Sequence, residues 1–301
     1  MKKKSRRLPF VSVVIPIYSD SGKIEVCLSA LNKQTYPKNK FEIVIVDNGD
    51  NSNLKKRINP FQNIIVVKEK RPGMHLARNK GISFSKGKVL AFTDSDCIPE
   101  NVWIEKGVKK ITNIPNCGLV AGRIKVFPEN TRKPSSAQLF DTITGFSQKK
   151  YVENIHFGAT ANLFTLKEVI ENVGYFDATL KSGADLKWGQ KVYNAGYKIV
   201  YSKEACIAHP ARNSLRSLLR KHARVAGGLY DMHRGNYPLE EFLIDLKDDW
   251  PHYQDFKSVF CDRRLTNGIQ KLQIFGIMLL VKFTRVAERI KLKLGAKSKR
   301  I

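Results

Sequence analysis

Apolar residues in this chain follow two alternating rhythms. Short continuous runs, Val11 to Tyr18, Phe41 to Asp47, Ile64 to Lys68 and Lys88 to Asp94, have the length and the Val/Ile content of buried strands. Between them apolar residues recur at helical spacing: Ile24, Cys27, Leu28 and Leu31 before a break at Tyr36-Pro37, and Leu76 to Phe84 before Gly87. Strands alternating with helices predict an α/β protein with a mostly parallel, doubly wound sheet. Further on, Ile98 to Asn113 reads as a helix opened by Pro99, Leu119 to Phe127 as a strand, and Pro128 to Ser136 as a polar loop. A short helix surrounds Val169, and Asp185 opens an amphipathic helix, Leu186 to Asn194, that Gly196 ends. Tyr197 to Tyr201 and Ala205 to His209 read as two more strands.

The C-terminal third changes character. Arg212 to Arg234 carries an apolar stripe of Leu215, Leu218, Leu219 and Val225, with Arg216, Arg220, Lys221, His222 and Arg224 crowding the rest of its surface. Leu239 to Asp262 is acidic and aromatic with a break at Trp250-Pro251, and Leu265 to Ile290 is rich in Leu, Ile, Phe and Met. Its apolar run, Ile274 to Val281, is far short of the ~20 residues that span a bilayer. That run is expected to pack on the body or to lie in a membrane interface through Ile274, Phe275, Met278 and Leu279.

Composition narrows the class. With 301 residues and 42% hydrophobic content the chain can bury a large core, as one large domain or two small ones. Its 53 Lys and Arg against 27 Asp and Glu, a formal charge of +26, imply an anionic partner: nucleic acid, anionic lipid or a phosphorylated substrate. Cys27, Cys97, Cys117, Cys206 and Cys261 are scattered and odd in number, which suggests neither a disulfide framework nor a zinc site, and a reducing cytosol is the default. The N-terminal Met1 to Arg7 is basic but lacks a following apolar core, and reads as an uncleaved tail.

The candidate chemistry lies at strand ends. Asp94 and Asp96, one residue apart, finish an apolar strand. At the carboxyl edge of an open α/β sheet such a pair can offer oxygens to a hard divalent cation held mainly by substrate phosphates. The plainer role is a turn or cap ahead of Pro99 and Glu100. Asp47 ends a strand on the same edge, although Asp47-Asn48-Gly49 is also a turn signal. Asp185 has a structural role available as a helix cap, and His209 is an ordinary polar strand end unless it meets a ligand.

Taken in order, these stretches resemble family 2 glycosyltransferases of the GT-A fold. Val11 to Tyr18 is similar to that family's opening Val-Ser-Val-Ile-Ile-Pro-x-Tyr. Val46 to Asp50 is similar to Val-Asp-Asp-Gly-Ser, with Asn48 and Asp50 as departures. Ala77-Arg78-Asn79-Lys80-Gly81 resembles Ala-Arg-Asn-x-Gly, and Asp94-Ser95-Asp96 the Asp-x-Asp motif. Val173 to Asp177 followed by Gly183-Ala184-Asp185 is similar to Val-Gly-Gly-Phe-Asp followed by Gly-Glu-Asp, with Ala184 in place of Glu. The resemblance covers residues 9–212. It implies a catalytic domain there, with a nucleotide-binding half at 9–97 and an acceptor half at 98–212, between a basic tail at 1–8 and a basic helical extension at 213–301.

The resemblance also implies roles. A nucleotide-diphosphate sugar would be held by Pro16, Tyr18, Asp47, Arg78 and Asp94. Asp96 and His209 would bind Mg²⁺ or Mn²⁺, and Asp185 would act as general base with inversion at the sugar. Asn162 and Trp188 are the candidate acceptor contacts. The Gln-x-x-Arg-Trp signature of processive synthases is absent, so transfer of one sugar to a glycan or lipid-linked acceptor is expected. Arg212 to Arg224 is similar to a basic helix of bacterial members that work on such acceptors, which implies a cytoplasmic protein peripheral on the inner face of the cell membrane, against anionic lipid. The rivals are a basic membrane or nucleic-acid binder on an inactive GT-A scaffold, and a nucleotidyltransferase. No aromatic-basic RNA signature is present, and Ser19 to Lys23 is a poor Gly-rich, Lys-containing loop, so neither is favoured.

Overall fold

The computed structural model describes residues 7–18, 22–49, 51, 53–233 and 238–298. Residues 1–6 of the basic tail, Ser19 to Ser21, Asp50, Arg234, Lys299 and Arg300 lie outside the described residues. In chain order the elements begin β1 (Val11–Ile17), α1 (Ile24–Asn32), β2 (Phe41–Asp47), α2 (Leu54–Ile58), β3 (Ile64–Lys68), α3 (Met74–Phe84) and β4 (Val89–Thr93). Next come β5 (Ile98–Pro99), α4 (Trp103–Asn113), β6 (Cys117–Phe127), α5 (Ser136–Thr144), α6 (Gln148–Lys150), β7 (Asn162–Leu166), α7 (Lys167–Val173) and α8 (Ala184–Asn194). The chain ends with β8 (Lys198–Pro210), α9 (Leu215–Met232), α10 (Leu239–Asp249), α11 (Tyr253–Phe260) and α12 (Gly268–Lys293). These form two compact units: Met1–Lys125, Ser147–Ala178 and Ala184–His209 make the first, and Val126–Phe146, Thr179–Gly183 and Pro210–Ile301 the second. The second unit is thus assembled from three separate stretches and does not start at a single point near residue 213.

The sheet has the order β3-β2-β1-β4-β7-β6-β8-β5. β3, β2, β1 and β4 are parallel. Antiparallel pairs extend the sheet, β7 against β4, β6 against β7 and β5 against β8. Every residue of β1 and β2 is buried, which is why both read as unbroken apolar runs. Their polar exceptions satisfy each other: Ser12 Oγ donates to Glu42 Oε1 at 2.6 Å, while the Lys86 and Gly87 amides donate to Glu42 and Ser12. Pro16 is tolerated in this interior strand because the pairing with β4 ends at Val14, leaving no bond for its missing N–H on that side.

Strand order reverses at β1: β2 and β3 lie to one side of it and β4 to the other. The carboxyl ends of β1 and β4 therefore flank the topological switch point, where open α/β sheets bind ligands. Helix α3 rests closely on this part of the sheet, since a Cβ on Gly81 would meet Val14 Cγ1 at 2.5 Å.

Several local expectations change. Ile98 and Pro99 form the edge strand β5, paired with Ala208 and Ile207, and the helix begins only at Trp103. The two strands expected between Tyr197 and His209 are one 13-residue strand, whose middle places Lys203 and Glu204 in solvent and Ser202 inside. Helix α5 was hidden behind the polar loop; Ser135 and Gln138 start it with a reciprocal capping box.

In the second unit the core is built from Ala137 and Phe140 of α5, Leu218 of α9, Val259 of α11, Leu265, and Ile274, Ile277, Met278 and Val281 of α12. The face expected to lie in a membrane interface is therefore interior: Ile274 and Met278 are core, Phe275 packs against them and Leu279 is half-buried. The opposite side of α12 exposes Ile269, Leu272, Leu280, Phe283 and Ile290, and the Trp250 ring stands on Phe283 at 5.7 Å. Some of the basic charge is paired inside the unit. Asp141 accepts from Arg212 and Lys221, and Arg289, 1% exposed, reaches Asp245 and Asp249. No helix among the described residues is long and apolar enough to cross a membrane.

Candidate active site

The site is assembled within the first unit from strand ends and two helices. β4 delivers Asp94, Ser95 and Asp96, and the Cys97 amide closes a turn onto the Asp94 carbonyl at 3.1 Å. Because Ile98 pairs with Ala208 of β8, the next residue of that strand, His209, is carried to the same turn. His209 Nε2 lies 3.8 Å from Asp96 Oδ1. One donor atom each from Asp94, Asp96, Cys97 and His209 fall within 4.8 Å of one another. Burial pushes the Asp96 carboxyl up; His209 and Lys23 pull it down, Asp94 adds to the rise, and the net is upward. A divalent cation would relieve that crowding: the two carboxylates suit Mg²⁺ or Mn²⁺, and the imidazole beside them is a donor that Mn²⁺ takes more readily than Mg²⁺.

Helix α3 supplies Arg78, whose Nη2 donates to Asp94 Oδ1 at 2.7 Å. Its Nε is buried with no hydrogen-bonding partner among the described residues. The next residue, Asn79, grips the segment leading to α8: its Nδ2 donates to the Phe176 carbonyl at 2.8 Å and its Oδ1 accepts the Phe176 amide at 3.2 Å. Asn79 is visible in the sequence as part of the Ala77 to Gly81 motif, but its link to Phe176 arises only in the fold.

Asp185 stands in the first turn of α8, one residue inside the helix, where its Oδ1 accepts the Leu186 amide at 3.0 Å. It is thus a first-turn residue and does not cap the helix from outside. Burial pushes its carboxyl above the ordinary range, the Arg78 charge and the Leu186 and Thr160 amides pull it back, and the net is upward. The neighbouring Asp177 is tied to Lys187 at 2.7 Å.

Asp47, at the end of β2, has both oxygens engaged: Oδ1 accepts from Asn51 at 2.7 Å and from the Gly49 amide at 3.2 Å, and Oδ2 from Lys68 at 2.8 Å. Burial alone would raise it, but Lys68, Asn51 and Gly49 outweigh burial and hold it as an anion. Gly49 is demanded by space, since a Cβ there would sit 1.7 Å from the Tyr18 carbonyl oxygen. Tyr18 is exposed at the end of β1, while Pro16 is enclosed within that strand. Asn48 has its own explanation. Its Nδ2 donates to the Glu69 and Arg71 carbonyls and its Oδ1 accepts the Gly73 amide, a pattern a carboxylate cannot make.

Two expected acceptor contacts are overturned by burial. Asn162 is fully enclosed, accepting from Trp103 Nε1 at 2.8 Å and donating to the Arg123 and Ala205 carbonyls. Trp188 is 1% exposed, packs on Phe176 and donates its indole N–H to Gly174. Both side chains use their polar atoms to hold the core together.

Comparison with known proteins agrees with this architecture. A GT-A mannosyltransferase from Pyrobaculum calidifontis, solved in complex with GDP-Man and Mn²⁺, superposes with a TM-score of 0.65 over 94% of this chain and 86% of that one, at 16% identity. The fold is therefore that of a GT-A sugar transferase. Residues 12–174 match the description of glycosyl transferase family 2. The glycosyltransferase AglE of Haloferax volcanii is 36% identical over 226 residues, 73% of each chain. A Methanococcus voltae enzyme, named as a dolichyl N-acetyl-alpha-D-glucosaminyl phosphate diacetamido-dideoxy-glucuronosyltransferase, is 24% identical over 227 residues, 70% of each. The chain belongs to glycosyl transferase family 2 and is a glycosyltransferase.

Proposed function

We propose that the chain transfers one sugar, with inversion, from a nucleotide-diphosphate sugar to a hydroxyl of a glycan or lipid-linked acceptor. The observation that carries this reading is the position of Arg78, bonded to Asp94 of the cation cluster and close enough to Asp185 to pull on its proton affinity. Cation cluster and candidate base are thereby parts of one electrostatic system. Support for the donor comes from the nucleotide sugar and Mn²⁺ bound by the Pyrobaculum enzyme. Support for a lipid-linked acceptor comes from the name of the Methanococcus relative.

In this mechanism Asp96 and His209, with Asp94, would hold Mg²⁺ or Mn²⁺. When bound, the cation supplies charge that stabilises the departing diphosphate without proton transfer. Arg78 presents its unpartnered Nε as a further donor to that anion. Tyr18 and Asp47 line the strand ends where the nucleoside would rest, with Asp47 kept ionised by Lys68. Asp185 takes the proton of the acceptor hydroxyl as its oxygen attacks opposite the leaving group; its raised proton affinity suits a base working near neutral pH.

The test is protection against thermal unfolding by UDP, GDP and dTDP sugars with Mn²⁺ present, followed by calorimetry of the best donor on Asp96→Ala. Donor binding is expected to vanish with EDTA and in the variant. Binding unchanged by EDTA would sink the metal-assisted reading.

A membrane-surface location is a second proposal, favoured by the apolar side of α12 and the exposed Trp250 beside it. An indole at such a boundary, together with a net charge of +26, suits an anionic lipid surface at the inner face of a cell membrane.

A further inference from the structure

We propose that Cys97 is a fourth donor of the cation cluster, so that Zn²⁺ or Cd²⁺ is taken by Asp94, Asp96, Cys97 and His209 together and competes with the Mg²⁺ or Mn²⁺ of the transfer reaction. This rests on the reading of Asp94, Asp96 and His209 as the cation site.

Two backbone constraints put the sulfur there. The Cys97 amide bonds the Asp94 carbonyl at 3.1 Å, folding the chain so that Cys97 follows Asp96 around the same turn. The Ile98–Ala208 pairing then aligns the preceding residue of one strand with the following residue of the other, Cys97 with His209. The Cys97 side chain is 0% exposed, and its Sγ shares the 4.8 Å cluster with the carboxylate oxygens and the imidazole.

Donor chemistry separates the two classes of cation. The carboxylate oxygens suit Mg²⁺ and Mn²⁺, which keep further positions for diphosphate oxygens, and the imidazole is a borderline donor open to either class. A thiolate adds preference for softer ions, and four donors of this kind match the tetrahedral, closed arrangement of protein zinc sites. With bonds of about 2.0 to 2.3 Å, tetrahedral donors stand roughly 3.3 to 3.8 Å apart, so the cluster would contract by about 1 Å. On binding, the thiol proton passes to the buffer and no redox change occurs. A closed four-donor site leaves no position for diphosphate, so these ions should act as inhibitors. Cys27 is the necessary control, because its Sγ approaches the Asp94 carbonyl at 3.8 Å from α1.

The experiment titrates the chelator-stripped full chain with Cd²⁺, reading the near-ultraviolet thiolate-to-Cd²⁺ charge-transfer band, with Mn²⁺ binding followed in parallel by electron paramagnetic resonance. The wild type should show the band at one equivalent and release bound Mn²⁺ one for one. Cys97→Ser should lose the band and bind Cd²⁺ at least about tenfold more weakly, with Mn²⁺ affinity within roughly threefold. Cys27→Ala should keep the band. Cys97→Ala serves as a second variant, each checked for fold by circular dichroism. A band that survives in either Cys97 variant, or Cd²⁺ binding in the wild type with no band while Mn²⁺ still binds, overturns the inference and leaves the catalytic reading standing. Failure of Mn²⁺ to bind would overturn both.

Discussion

Arg78 Nη2 lies 2.7 Å from Asp94 Oδ1, and the Arg78 side chain is 5% exposed. Two motifs separated along the chain, one on a helix and one at a strand end, thus meet in one ion pair between a buried arginine and a half-buried aspartate. Such a pair holds geometry at a cost in desolvation, and each member depends on the other being present. The pairing fixes the cation beside the cluster of Asp94, Asp96 and His209 and within electrostatic reach of Asp185.

Asp185→Asn should leave the fold intact and remove the base. The isosteric amide can still accept the Leu186 amide through its oxygen. Turnover should fall by roughly 10²- to 10⁴-fold while donor affinity changes only a few fold. A folded carboxyl held above its unfolded proton affinity contributes stability at low pH and loses it as pH rises through that raised value. At neutral pH the carboxylate therefore opposes folding, and the variant should melt no lower than wild type. Near-normal turnover would make Asp185 structural; Asp177 is already paired with Lys187, and Asp141 with Arg212 and Lys221.

The pH profile should report the same group. The base works only when ionised, so kcat/KM should rise with pH through an acid limb lying above the ordinary aspartate value of about 3.9. Arg78→Gln removes the charge that pulls Asp185 down and should move the limb further up. A limb below about 4 in the wild type would point to a different base.

His222 in α9 makes the second unit sensitive to acid. Burial, with the charges of Lys221, Arg285 and Arg212 outweighing Asp141, pushes its ring down to about 3. The unfolded chain binds the proton near pH 6.5 and the folded one does not, so stability should fall steadily between about pH 6.5 and 3. His222→Gln should flatten that slope in a series of thermal melts. An unchanged slope would assign the acid sensitivity elsewhere.

On α12 the two apolar faces should separate cleanly. Leu280→Glu with Phe283→Glu should lower binding to anionic vesicles in a flotation assay while stability changes by about 0.5 kcal/mol or less per site, as expected for exposed positions. Ile274→Ala, in the core, should instead cost about 2 to 5 kcal/mol and leave vesicle binding alone. Vesicle binding untouched by the glutamates would end the membrane-surface proposal.

Much of the first unit was legible because its signals are local. Parallel strands buried on both faces must be apolar throughout, so β1, β2 and β4 announced themselves, and the strand ends then placed Asp47, Asp94 and Asp96 on one edge. The motif carrying Arg78 was equally visible, although its bond to Asp94 was not. Cys97 gave no signal by spacing, because its partner His209 arrives through the pairing of β5 with β8 and the two are far apart in sequence. Asn162 and Trp188 misled for a related reason: a polar or aromatic side chain looks the same in sequence whether its hydrogen-bonding atoms face an acceptor or, as here, Trp103 and Gly174. Helix α12 shows the limit most plainly. It has apolar residues on both sides, so periodicity establishes that it is a helix but leaves the choice of inner face open. That choice fell to Ala137, Phe140, Leu218 and Val259, which bury Ile274 and Met278 and leave Leu280 and Phe283 outside, because burial depends on which surfaces meet in space and not on order along the chain.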